Sequence, residues 1–227
     1  MEDKYYDCHM HEIGKEEGGL LIALDGLRGS AGGYNNNEIL EVASKKKGII
    51  PVQYVKWNFD ETSTSIVKYH PRREKYTVAD VEKDIIKRKP KAIVIDTLNQ
   101  PEWEPNDYWK LARKFDTIPF LFSHTGGFDI LQFMNIAMYQ NNVWIDFSFV
   151  QQVFGFCGKK QSLHAITDVM DYGLKEERIF RKLMFGTDRM RNDEDISQEI
   201  LKVYAKYKSY NTVVKDNYFN FVNSFSD

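Results

Sequence analysis

Cysteine is nearly absent: the 227 residues hold only Cys8 and Cys157. Two thiols make no disulfide framework, and without a C-x-x-C pair they offer no structural zinc site. No apolar run approaches the roughly 20 residues of a membrane span, and the acidic, polar start does not read as a signal peptide. A broad basic surface is missing as well. With 31 Lys and Arg against 33 Asp and Glu, the net charge of −2 argues against nucleic-acid binding. These absences point to a cytoplasmic protein with neither nucleic-acid nor membrane partners. The six prolines form no linker, and the length suits one core better than two, so a single domain over 1–227 is expected.

What the chain does have is aromatic bulk, at 14% of residues, and a regular alternation of two patterns. Apolar, β-branched or aromatic runs read as strands at 5–8, 20–24, 49–57, 65–71, 91–96, 118–124, 142–148 and 182–188. Between them, apolar residues at helical spacing predict helices. One is capped by Asn36 or Asn37 and ends at Gly48. A second starts at Thr77 or Asp80 and carries Val81, Ile85 and Ile86 as its apolar stripe. Others cover 109–115, 130–140, 163–172 with Gly173 as the cap, 196–207 and 213–225. Eight strands alternating with helices imply a parallel sheet and, most simply, a compact (β/α)₈ TIM barrel of the α/β class. The alternative is an open doubly wound sheet, but no G-x-G-x-x-G opens a helix after a strand.

The chemistry-bearing residues gather at one end of these strands. His9 and His11, two apart at the close of the first strand, face the same side. His70, Asp96, His124 and Asp188 also stand at C-terminal strand ends, where the catalytic groups of a barrel converge. Only His164 falls within a helix, where it reads as a surface or packing residue. Imidazoles and carboxylates together suit a divalent metal, zinc first, with manganese or iron also compatible.

D-x-H-x-H at strand one, H-T-G-G after strand six, N-V-W-I-D-F-S and F-G-T-D resemble the motifs of the amidohydrolase superfamily. The resemblance is to its amidohydrolase-2 metal-dependent hydrolases, a group that also holds aminocarboxymuconate-semialdehyde-decarboxylase-like enzymes. It runs from Asp7 to the last helix, where Asp216 to Phe225 looks like that group's closing segment. The resemblance implies His9, His11 and Asp188 as metal ligands. It also implies that Asp188 takes a proton from the activated water, and that His124 polarises the substrate or shuttles a proton.

One departure stands out. Strand five ends in Asp96 where the family usually has histidine, so Asp96 is the candidate fourth ligand, with a salt bridge to Lys68 as the competing reading. Lys68 and His70 share a face of strand four. They read as a substrate-facing rim, with ligation by His70 or by a carboxylated Lys68 as the alternative. Arg28, Arg72 and Arg189 fall at or near the same rim, so a small anionic substrate, a carboxylate or phosphate, is expected. The expected activity is hydrolysis of a C–N or C–O bond by a metal-activated water. A decarboxylase on the same scaffold and a degenerate, ligand-binding barrel are the alternatives, and a homodimer is compatible with the family.

Overall fold

The computed structural model describes residues 4–24, 33–59, 63–98, 102–153, 164–190 and 197–226. The strands are β1 (Tyr6–Met10), β2 (Gly18–Ile22), β3 (Ile49–Tyr54), β4 (Ile66–Tyr69), β5 (Ala92–Asp96), β6 (Phe120–Ser123), β7 (Val143–Asp146) and β8 (Leu183–Met184). Each pairs in parallel with the next, in the order β1 to β8. An isolated bridge between Met10 and Arg189 brings the last strand round to the first. The helices are α1 (Glu38–Ser44), α2 (Pro71–Glu74), α3 (Val78–Arg88), α4 (Pro105–Lys114), α5 (Ile130–Tyr139), α6 (Val150–Val153), α7 (His164–Lys175), α8 (Glu177–Phe180), α9 (Ser197–Tyr204) and α10 (Asn217–Asn223). This is a (β/α)₈ barrel. Among the described residues no helix is long and apolar enough to cross a membrane.

Strand alternation builds two apolar layers. Cys8, Leu20, Ile22, Val52, Ile66, Val94, Leu121, Trp144 and Met184 form one cluster, the barrel interior, together with Tyr218 and Phe221 of α10. The intervening residues, among them Val67, Ile93, Ile95, Phe120, Phe122 and Ile145, pack outward on Val81, Leu111 and Phe133 of the helices. Because α10 packs its rings against the interior cluster at one end, the C-terminal strand ends form the accessible mouth.

Local signals explain most boundaries. Thr77 caps α3 in a reciprocal box with Asp80, each side chain taking the other's backbone N–H. Pro71 opens α2 at a position where a missing N–H costs nothing. Three expectations are corrected. Ile86 lies 58% exposed, because α3 turns Val81, Asp84 and Ile85 inward instead. Gly173 does not cap α7, which continues to Lys175; a Cβ there would stand 2.6 Å from Met134 Cε, so glycine serves close helix packing. The ladder of β8 ends at Met184 rather than running to Asp188, and Asp188 adopts a left-handed φ of 55°.

Candidate active site

The site grows from the ends of six strands. The register of β1 against β2 slips between Asp7 and Met10, so Cys8 packs in the barrel interior while His9 beside it also reaches inward. Gly19 accommodates this slip, since a Cβ at that position would lie 2.1 Å from the Asp7 carbonyl oxygen. Asp7 then ties the two edges of the barrel together. Its carboxylate accepts from the backbone N–H groups of His9 and Thr187 and from the Thr187 hydroxyl at 2.6 Å. Burial pushes the Asp7 pKa up to about 7, although Arg189 opposes the shift.

His9, His11 and Asp188 meet at the mouth. Asp188 Oδ1 lies 3.4 Å from His9 Nε2 and 3.2 Å from His11 Nε2. His11 Nδ1 stands 2.7 Å from the Ile22 carbonyl oxygen, which can only accept, so Nδ1 carries the proton and Nε2 presents its lone pair. Ligands about 2.0–2.1 Å from a tetrahedral zinc stand about 3.3–3.4 Å apart. The donor set therefore fits a divalent metal in both type and spacing. Burial lowers the pKa values of both histidines, and for His9 the Lys68 ammonium adds to the effect, so both imidazoles are neutral, as ligation requires. Burial would raise Asp188, but the groups around it, His124 first, together hold the carboxyl well below its usual range.

The other sequence-predicted residues fall into three groups. Lys68, His70, Arg72, Asp96 and His124 line a cavity of about 440 Å³ together with His11 and Asp188. Lys68 lines the cavity from a buried position, with Nζ 2.9 Å from His9 Nε2. Asp96 belongs to neither group of side chains able to hold a metal among the described residues. It stands instead between His70 and His124, its Oδ2 3.5 Å and 3.2 Å from their Nε2 atoms. Against the cost of burial, His70 and then His124 hold its carboxyl far below the usual range. Burial would lower His124, but Asp188, Asp96 and Asp146 raise it to about 9, whereas burial lowers His70 to about 4.

Arg189 does not reach the cavity. Following Asp188 by one residue, it turns to the opposite side and is buried. It bonds Glu16 at 2.9 Å, the Glu12 carbonyl at 2.6 Å and Ser197 Oγ at 3.2 Å. It is a structural cation. Arg28 lies outside the described residues.

Sequence reasoning missed Asp146, Ser148, Arg73 and the apolar wall of Leu24, Leu98, Phe149 and Met190. Asp146 was within reach of the same rule that found Asp96, since it is the last residue of its strand. With His9 and His124 it forms the second group able to hold a metal, but the Ser148 hydroxyl occupies the space between them. The segment carrying His124 is unusual: His124, Thr125, Gly126 and Gly127 all have positive φ. Thr97 Oγ1, accepting from the Gly126 N–H at 2.8 Å, and the His124 N–H donating to Asp146 at 3.1 Å hold that turn. Gly126 and Gly127 take such angles freely, so the cost falls on His124 and Thr125, where the chain enters the cavity.

No family model and no curated protein matches the chain. Solved structures do. An amidohydrolase from Burkholderia multivorans with bound HEPES matches at a TM-score of 0.66 and 12% identity, over 97% of this chain and 99% of that one. A probable 2-pyrone-4,6-dicarboxylic acid hydrolase from Acinetobacter baumannii with citric acid bound gives 0.65 and 13%, over 97% and 100%. Amidohydrolase 2 from Bifidobacterium longum subsp. infantis gives 0.60 and 11%, over 97% and 98%. At these identities the likeness establishes the fold: the chain is a (β/α)₈ barrel whose structural neighbours include amidohydrolases.

Proposed function

We propose that the protein is a metal-dependent hydrolase of the amidohydrolase superfamily, acting on a C–N or C–O bond of a small anionic substrate. The observation that carries this reading is the convergence of His9 Nε2, His11 Nε2 and Asp188 Oδ1 at the spacing of a coordination shell, with His11 and Asp188 lining the cavity. A divalent cation held by these three, zinc first and manganese or iron next, supplies Lewis acidity toward water and toward a substrate oxygen. The chain's own groups do the rest. Ionised Asp188 accepts the proton of the attacking water. His124, protonated against Asp96, donates toward the oxygen or nitrogen that leaves. Arg72 reaches the cavity beside His70 and offers guanidinium donors to a carboxylate or phosphate. Leu24, Leu98, Phe149 and Met190 exclude water from the body of the substrate. The citric acid in the Acinetobacter neighbour is a small carboxylate in a barrel of the same fold.

One observation favours a second reading. Lys68 Nζ points at the His9 Nε2 lone pair from 2.9 Å, so an ammonium could stand where the first reading places a metal, leaving His124 and Asp188 to work alone. Elemental analysis of protein purified without added metal separates the two. About one equivalent of zinc, manganese or iron supports the first reading. Metal-free protein that hydrolyses a carboxylated ester or amide, and is indifferent to chelator, supports the second.

A further inference from the structure

Ser148 lies behind the histidines, fully buried, with no role in the chemistry described above. Its Oγ is 3.0 Å from His9 Nδ1 and 3.1 Å from His124 Nδ1, and it donates to Asp146 Oδ1. One hydroxyl thus touches the metal-facing histidine, the acid–base histidine and a buried carboxylate at once. A hydroxyl has one proton and two lone pairs. The Asp146 carboxylate accepts from the Ser148 N–H at 2.9 Å and from the His124 N–H at 3.1 Å, so it is already set as an acceptor. The single hydroxyl proton therefore goes to Asp146, and both ring nitrogens must donate to Ser148.

Two contacts outside this hub agree with the same arrangement. His124 Nδ1 also faces the Ser148 carbonyl oxygen at 3.0 Å, which can only accept. Lys68 Nζ lies 2.9 Å from His9 Nε2, where a bare ring nitrogen accepts from the lysine.

We infer that Ser148, anchored by Asp146, is a positioning residue that fixes a proton on Nδ1 of both His9 and His124. It thereby turns the Nε2 lone pair of His9 toward the metal position and the Nε2 of His124 toward Asp96. The metal part of this inference rests on the function proposed above; the tautomers do not.

The test is long-range ¹H–¹⁵N correlation of the histidine rings in the full chain, comparing wild type with Ser148→Ala, alongside zinc titration of both. Wild type should show His9 and His124 protonated on Nδ1. In Ser148→Ala, His9 should move to a mixture with the Nε2-protonated form, and the zinc Kd should rise roughly tenfold, as for other groups that orient a ligating imidazole. Ser148→Cys keeps the volume but replaces the oxygen acceptor with a weak one, so it should shift the His9 tautomer in the same direction if Ser148→Ala does not fold. Unchanged ring tautomers in a folded variant overturn the inference, as does a wild-type His9 protonated on Nε2. Correct tautomers with no zinc binding leave Ser148 as the positioning residue and remove the metal from the proposed function instead.

Discussion

From β4 to β6 the mouth of the barrel is a regular ladder, whereas the seam where β8 meets β1 is held mainly by polar side chains and isolated backbone bonds. In the first region Ile66 to Tyr69 run against Ala92 to Ile95 in unbroken register, and Asp96 pairs with Ser123. In the second, β8 has two ladder residues, β1 slips, and the edges are stitched by Cys8 N–H to Phe185 O, Asp188 N–H to His9 O and His11 N–H to Arg189 O. Asp7 with Thr187, and Arg189 with Glu16, supply the rest. The regular half holds Lys68 and Asp96; the irregular seam holds His9, His11 and Asp188. The backbone of the seam is the irregular part, with a left-handed Asp188 and a slipped β1.

Breaking the seam at its functional end should have the largest effect. Asp188→Asn should fold normally by circular dichroism yet lower kcat roughly 10²–10⁴-fold, because the amide cannot accept a proton. The assay is a screen of small carboxylated and phosphorylated esters and amides against neutral analogues. Near-normal turnover would remove Asp188 from the chemistry, and a preference for neutral compounds would remove the anionic substrate.

Breaking the seam at its structural end should cost stability before activity. Arg189→Met leaves the buried Glu16 with Lys46 as its cation and the Gly14 N–H as a donor, at about 3 kcal/mol and a Tm lower by roughly 10 °C. Arg189 and Lys46 hold the Glu16 carboxyl below its usual range against the cost of burial. Its contribution should be complete above the unfolded carboxyl's pKa of about 4.3 and vanish as pH falls through the lower folded value. Thermal melts from pH 6 downward should therefore converge for wild type and variant. If the gap persists in strong acid, the pair is not what holds the seam.

The regular half should behave differently. Asp96→Ala should lower turnover roughly tenfold by removing the partner of His124, while leaving zinc affinity unchanged. A large loss of zinc would return Asp96 to the ligand set. Smallest of all, Lys114→Ala should move Tm by less than about 2 °C, because its contact with Glu82 is exposed.

The same contrast explains what could be read in advance. Strand order, barrel class and the mouth positions of His70 and Asp96 follow from alternation, and alternation holds where the ladder does. Arg189 was misplaced by proximity in sequence: as the neighbour of Asp188, it turns to the opposite side. Asp146 was available as the last residue of β7. Ser148, at the end of the N-V-W-I-D-F-S run and two residues past β7, showed its place in sequence but not its role, which exists only once β1, β6 and β7 are assembled. Gly173 was ambiguous by nature, since a glycine that ends a helix and one that admits a neighbour look alike in sequence.

The central claim, that the seam gathers His9, His11 and Asp188 around a divalent metal, is tested most directly by calorimetric titration of chelator-treated protein with zinc. The account predicts one saturable site per chain, weakened at least about tenfold in His11→Ala and in Asp188→Asn. Wild-type protein that folds, retains its tautomers and binds no zinc, manganese or iron would contradict it.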